Sequence, residues 1–198
     1  VFPTFGDVDP TARALDSFGI HARSGRPLLR RVVGERGVAV GTELRPVASV
    51  KGSAIADAVF GLEMRMPWAI PLELGEGATA LLTIEDTPSI WGESQWGRLW
   101  QTPTDQHAML PEQPEPGDER DLESERWVLA ASGTRAHESS GRTQRIVAIG
   151  SNGWLLRDVA GAPRVVDGRI VATGNLELLE ASVLWLAGQD ELVAQGAQ

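Results

Sequence analysis

Arg145-Ile146-Val147-Ala148-Ile149-Gly150-Ser151-Asn152 and, further on, Gly174-Asn175-Leu176-Glu177-Leu178-Leu179-Glu180-Ala181-Ser182-Val183-Leu184-Trp185-Leu186-Ala187-Gly188 are the two most informative segments of this chain. The first is an apolar strand that runs into a Gly/Ser/Asn turn. The second is a helix: Asn175 offers an N-cap, and Glu177 and Glu180 lie toward the positive end of the helix dipole. At about 100° per residue, Leu176, Leu178, Leu179, Ser182, Val183, Trp185 and Leu186 cover more than half of its circumference. An ordinary surface helix exposes a wider polar face. Leu176 to Ala187 is therefore either sandwiched inside the domain or docked on a partner, and the same helix offers a face through which two copies could pair.

Strand, loop and helix in that order is the closing unit of an α/β domain. Other short apolar runs support it. Ala80 to Glu85 and Trp127 to Ser132 read as strands, and Arg169 to Thr173 as a fourth strand or an extended lead into the last helix. None alternates cleanly between apolar and polar residues, which marks strands covered on both faces. The expected architecture is one α/β domain over residues 1–198. It has a mainly parallel sheet flanked by helices, Arg145 to Ile149 as an interior strand, and a Rossmann-like, three-layer arrangement. Asp9-Pro10 opens a first helix that Gly19 ends, and Ser53 to Val59 forms a short second one.

Composition narrows the function. Among 198 residues, 42% are hydrophobic and 23% charged, as in globular domains. No apolar run approaches the roughly 20 residues needed to cross a bilayer. The chain begins Val1-Phe2-Pro3-Thr4 without Met or a basic leader, so it reads as an excised or processed piece. There is no cysteine, which removes disulfides, thiolate metal sites and cysteine nucleophiles. The net charge is -9. From Asp105 to Glu125 eight acids face one base, Arg120, so the rest of the chain is almost neutral. A nucleic-acid partner requires a basic stripe, and none is present. Residues 101–125 also hold Pro103, Pro111, Pro114 and Pro116, and read as a solvated acidic loop excursion that folding does not need.

Chemistry is sparse. Gly150-Ser151-Asn152-Gly153 follows a strand but lacks the spacing of a nucleophile elbow. Ser151 and Asn152 are better read as turn formers lining a crevice at a strand's carboxyl end. His21, His107 and His137 are scattered, fit no zinc pattern and read as surface residues. Glu85 and Asp86 at a strand end read as solvated acids, with a carboxylate pair or a metal ligand as the alternative. Trp91, Trp96 and Trp100 lie close together, either pinning a loop to the body or forming a platform for a glycan or peptide. No phosphate-binding glycine loop is present, and no cofactor or metal site is read. The crevice candidates are Glu85, Asp86, Ser89, Trp91, Ser151 and Asn152.

Three stretches resemble the auxiliary extracytoplasmic domains of GldG-like, gliding-motility-type ABC transporter systems. They are Leu15-Asp16-Ser17-Phe18-Gly19-Ile20, Leu81 to Trp91, and Arg145 to Asn152 with Gly174-Asn175 to Gly188. Where that family commonly carries a His-Pro pair, this chain has Ser53-Ala54-Ile55. The resemblance implies a non-enzymatic binding or scaffold domain on the extracytoplasmic face of a bacterial cell envelope. Its partners would be membrane-complex subunits of an ABC-type system, and its membrane attachment would lie outside this chain. It further implies a fold related to glutamine amidotransferases. The alternatives are an α/β hydrolase using Ser151 or Glu85 with Asp86, and a glycan- or peptide-binding module using Trp91, Trp96 and Trp100.

Overall fold

The computed structural model describes residues 3–4, 10–34, 37–48, 52–85, 89–109, 114–161, 164–166, 169–171 and 173–196. In chain order its first half comprises α1 (Pro10–Asp16), β1 (Ile20–Ala22), β2 (Leu28–Gly34), β3 (Gly37–Gly41), β4 (Glu43–Leu44), β5 (Val47–Ala48), α2 (Ala54–Ala58), β6 (Met66–Pro67), β7 (Leu72–Leu74) and β8 (Ala78–Glu85). Then come β9 (Ile90–Gly92), α3 (Gly97–Trp100), a 3-10 helix (Thr104–Met109), β10 (Arg126–Ala136), β11 (Thr143–Ile149) and α4 (Arg157–Ala160). The chain closes with β12 (Arg164–Val166), β13 (Arg169–Val171), α5 (Asn175–Leu186) and α6 (Asp190–Gly196).

The principal sheet has the order β1-β7-β10-β8-β5, with β11 also paired to β10. A second sheet runs β3-β2-β9, and β4-β6 and β12-β13 form two-stranded ribbons. Every described pairing is antiparallel. The mainly parallel, Rossmann-like, three-layer α/β fold expected from the sequence is therefore wrong. The reason can be read along β11. Ile146 and Ala148 pack into a cluster with Leu15, Ile20, Ile70 and Leu72, whereas Val147 and Ile149 pack into the larger cluster holding Leu44, Leu81, Leu129 and Leu178. The strand lacks alternation because apolar material covers both of its faces, and two-sided burial says nothing about strand direction. Direction follows from connection length. Residues 137–142 join β10 to β11 as a hairpin, too short for the crossover a parallel pair requires.

Arg145 to Ile149 is likewise not an interior strand. Among the described residues β11 pairs only with β10, in a register from Ala130–Ile149 to Ala136–Thr143. Arg145 ties this strand to the C-terminal helices. Its guanidinium donates two bonds of 2.9 Å to Asp190 and one of 2.6 Å to the Trp185 carbonyl, and stacks 4.8 Å over the Trp185 ring. That pairing holds the Asp190 carboxyl below its ordinary range.

The helix Leu176 to Ala187 is found as α5, with one change at its start. Gly174 occupies the N-cap position and Asn175 opens the helix with its side chain turned into the protein, fully buried. The Asn175 amide accepts from the Arg65 N–H (3.0 Å) and donates to the carbonyls of Arg65 (2.8 Å) and Trp154 (2.6 Å). It satisfies backbone groups 110 and 21 residues away rather than its own helix end.

The acidic segment is partly built into the body. Leu122 exchanges two backbone hydrogen bonds of 2.9 Å with Gly92 and packs against the main core. Asp121 accepts from the Ser94 N–H (2.9 Å), and Arg26 donates to the Arg120 carbonyl (2.6 Å). Earlier in the segment His107, expected at the surface, is 4% exposed. Its Nε2 lies 3.0 Å from the Leu99 carbonyl and 2.9 Å from that of Thr102. Two acceptors around one ring nitrogen require that nitrogen to carry the proton.

Candidate functional site

The five described crevice candidates lie on different sheets and turns. Glu85 ends β8 in the principal sheet and is exposed; Asp86 lies outside the described residues. Trp91 belongs to the smaller sheet, and Ser89 precedes its strand β9, with its carbonyl accepting from the Arg31 N–H (2.7 Å). Ser151 and Asn152 follow β11. An open trough of about 500 Å³ runs between β7 and the chain at 122–128, lined by Arg23, Leu72, Leu74, Leu122, Arg126 and Val128 among others. None of the five described candidates is among its lining residues.

The turn after β11 is welded to the neighbouring strand ends. Gly150 donates to the Leu129 carbonyl (2.8 Å) and accepts from the Ile70 N–H (2.6 Å). The Ser151 hydroxyl, 1% exposed, donates to the Pro67 carbonyl at 2.6 Å. Its proton is held by a backbone acceptor, so this serine anchors a turn. Asn152 beside it is exposed. Ser139 and Ser140 hydroxyls sit 3.2 Å from His137 Nδ1, a local contact on the exposed tip of the β10–β11 hairpin.

The tryptophans pack rather than forming a shelf. Trp91 and Trp96 are 1% and 3% exposed, and only Trp100, at 45%, presents much surface. Trp96 and Trp100 meet Trp68 edge-to-face, the closest pair having centroids 4.9 Å apart at 73°. Trp68 was not legible as part of this group. It has a positive φ of 50°, a strained geometry for a bulky residue, and its N–H donates to the Thr42 carbonyl at 2.7 Å. Packing among three rings holds it there.

A second group missed by sequence reasoning is Glu93, a carboxylate only 3% exposed. It accepts from the Trp91 indole N–H (2.9 Å) and the Gln95 N–H (2.6 Å). Burial raises its pKa from 4.5, and the nearby Asp121 and Asp118 add to the rise against those two bonds. Asp118 itself is held low by Arg120. Because the folded value of Glu93 exceeds the unfolded one, the native state keeps a proton that the unfolded chain has released. Its contribution to stability is complete below pH 4.5 and is lost as pH rises through the folded value. Glu93→Gln is expected to remove this slope. In urea melts the variant should gain on the parent as pH rises from 4.5 to about 7. Parallel curves across that range would show that Glu93 does not titrate there.

The remaining feature is a surface. Around α5, Asn175, Leu178, Ala181 and Ser182 face inward, packing on α2, α6 and β11. Leu176, Leu179, Val183 and Leu186 are 52%, 36%, 54% and 45% exposed. Their 3-4-3 spacing sets them in one straight seam, the pattern that pairs helices. Glu177 and Glu180 are exposed along one flank of it. Among the described residues, no group of three or more His, Cys, Asp or Glu is placed to hold a metal, and no helix is long and apolar enough to cross a membrane.

No family model and no curated protein matches the chain. A solved structure, the mmIFT52 N-terminal domain, is similar over 89% of this chain at 12% identity, with a TM-score of 0.48. This chain covers 57% of that one.

Proposed function

We propose that this domain is a non-enzymatic binding or scaffold module that holds a partner through the exposed face of α5. The observation that carries this reading is the seam of Leu176, Leu179, Val183 and Leu186, four large apolar side chains left in solvent on one helix. Contiguous apolar surface of this kind marks interaction sites, unlike singly scattered leucines. The burial of Ser151 against the Pro67 carbonyl supports a role without a serine nucleophile. The setting, on the outer face of a bacterial membrane beside an ABC-type system, rests on the sequence resemblance of Arg145 to Asn152 and Gly174 to Gly188.

A photocrosslinking amino acid placed at Val183, in the organism that makes the protein, tests this. It should capture a subunit of a membrane complex, whereas the same group at Glu138 on the exposed β10–β11 hairpin should not. Equal yields at both positions, together with labelling of Ser151 by a serine-hydrolase probe, would sink the reading.

A further inference from the structure

We infer that the partner of α5 is an amphipathic helix with an aliphatic seam and a lysine- or arginine-bearing flank; this rests on the binding-module reading. Two independent features of the surface point to it. The first is the seam's 3-4-3 spacing, which receives a second helix in knobs-into-holes fashion. The second is what lies beside it. Ala58, Ala181, Leu184, Leu192 and Val193 floor a groove of about 130 Å³ whose rim carries Glu177 and Glu180. An apolar floor under two carboxylates fits a long basic side chain, with its methylenes on the floor and its cation at the rim. A free fatty chain would leave those acids unmatched.

A second copy of this chain fits less well. In antiparallel pairing the two-fold axis runs across the helices and keeps each flank on its own side. With the axis at the middle of the seam, Glu180 of one copy would lie beside Glu180 of the other. Such like-charge contacts oppose pairing, and each copy also brings a net charge of -9. A basic helix is instead attracted by both the flank and the overall field.

The test uses the whole chain and two labelled peptides of about 20 residues, long enough to form a helix on contact. Both carry leucine at the seam positions; one has lysines on its flank and the other glutamates. Fluorescence anisotropy at physiological salt should show that the lysine peptide binds and the glutamate peptide does not. Val183→Asp, which would bury an unpaired charge, should weaken the lysine peptide by more than about 10-fold. The double variant Glu177→Lys/Glu180→Lys should weaken it by about 10-fold and admit the glutamate peptide. Unchanged thermal melts show that these exposed substitutions leave the fold intact. Binding that needs Val183 but ignores flank charge would overturn the basic partner and leave the binding-module reading standing. Binding of neither peptide to the parent would overturn both. A dimer in sedimentation that Val183→Asp dissolves would make the occupant a second copy and overturn the proposal.

Discussion

Gly150→Ala is expected to be among the most damaging single substitutions in this protein. A Cβ at that position would lie 2.2 Å from the Ile70 carbonyl oxygen and 3.0 Å from that of Leu129. Both are backbone atoms, and the chain around Gly150 is bonded to both segments. No side-chain rotation relieves such a contact, so strands must separate or the turn must move. A loss of about 3–5 kcal/mol follows, near the upper end of single-residue effects. Gly75→Ala is the control, because its Cβ would meet nothing nearer than the Gly19 carbonyl oxygen at 3.7 Å. Chemical denaturation of both variants checks this. A Gly150→Ala protein as stable as Gly75→Ala would show that the 150–152 turn is not packed as described.

The second large effect belongs to Asn175→Ala. Removing this amide leaves the Arg65 N–H and the carbonyls of Arg65 and Trp154 without the partner they have in the folded protein. Each buried, unsatisfied polar group costs about 1–3 kcal/mol. The total expected loss is about 3–5 kcal/mol, which in a domain of this size lowers the melting temperature by roughly 10 °C. Asn175→Asp separates the two halves of the amide. It keeps the acceptor for Arg65 N–H but turns a carboxylate oxygen toward two carbonyls, so it should be at least as damaging as alanine. If Asn175 acted only as a helix cap, Asp would be tolerated, since it caps as well as Asn does. A stable Asn175→Asp variant would therefore refute the bridging role.

Much of the local structure was legible from residue order. Leu176 to Ala187 reads as a helix and forms one, because its formers are uninterrupted and its spacing leaves no room for a strand. Ala80 to Glu85, Trp127 to Ser132 and Arg145 to Ile149 read as strands and are found within β8, β10 and β11. Sheet direction was not legible, since apolar runs report burial on two faces and both sheet types can provide it. The candidate site was less legible still. Written in a line, Trp91, Trp96 and Trp100 allow both a loop pin and an exposed platform; it is Trp68, from a distant strand end, that meets Trp96 and packs the group together. Glu93 sits in no recognisable pattern; it is buried because the 118–122 segment closes over the loop that carries it.

The acidic stretch illustrates the same division. Its composition predicts solvation along its whole length, and Glu115, Asp118 and Glu119 are indeed partly or fully exposed. Composition averages over residues, however, and Leu122 needs only one antiparallel bridge to Gly92 to enter the core.

Sequence alone determined the helix at α5, the strand segments within β8, β10 and β11, and the excess of apolar surface on α5, because these depend on neighbours within a few residues. It also determined the cysteine-free, acidic character of the chain. Tertiary structure decided the antiparallel pairing, the bridging role of Asn175, the burial of Glu93 and Ser151, and which arc of α5 stays in solvent. Those outcomes depend on contacts between residues tens of positions apart, and their geometry is set only when the whole core closes.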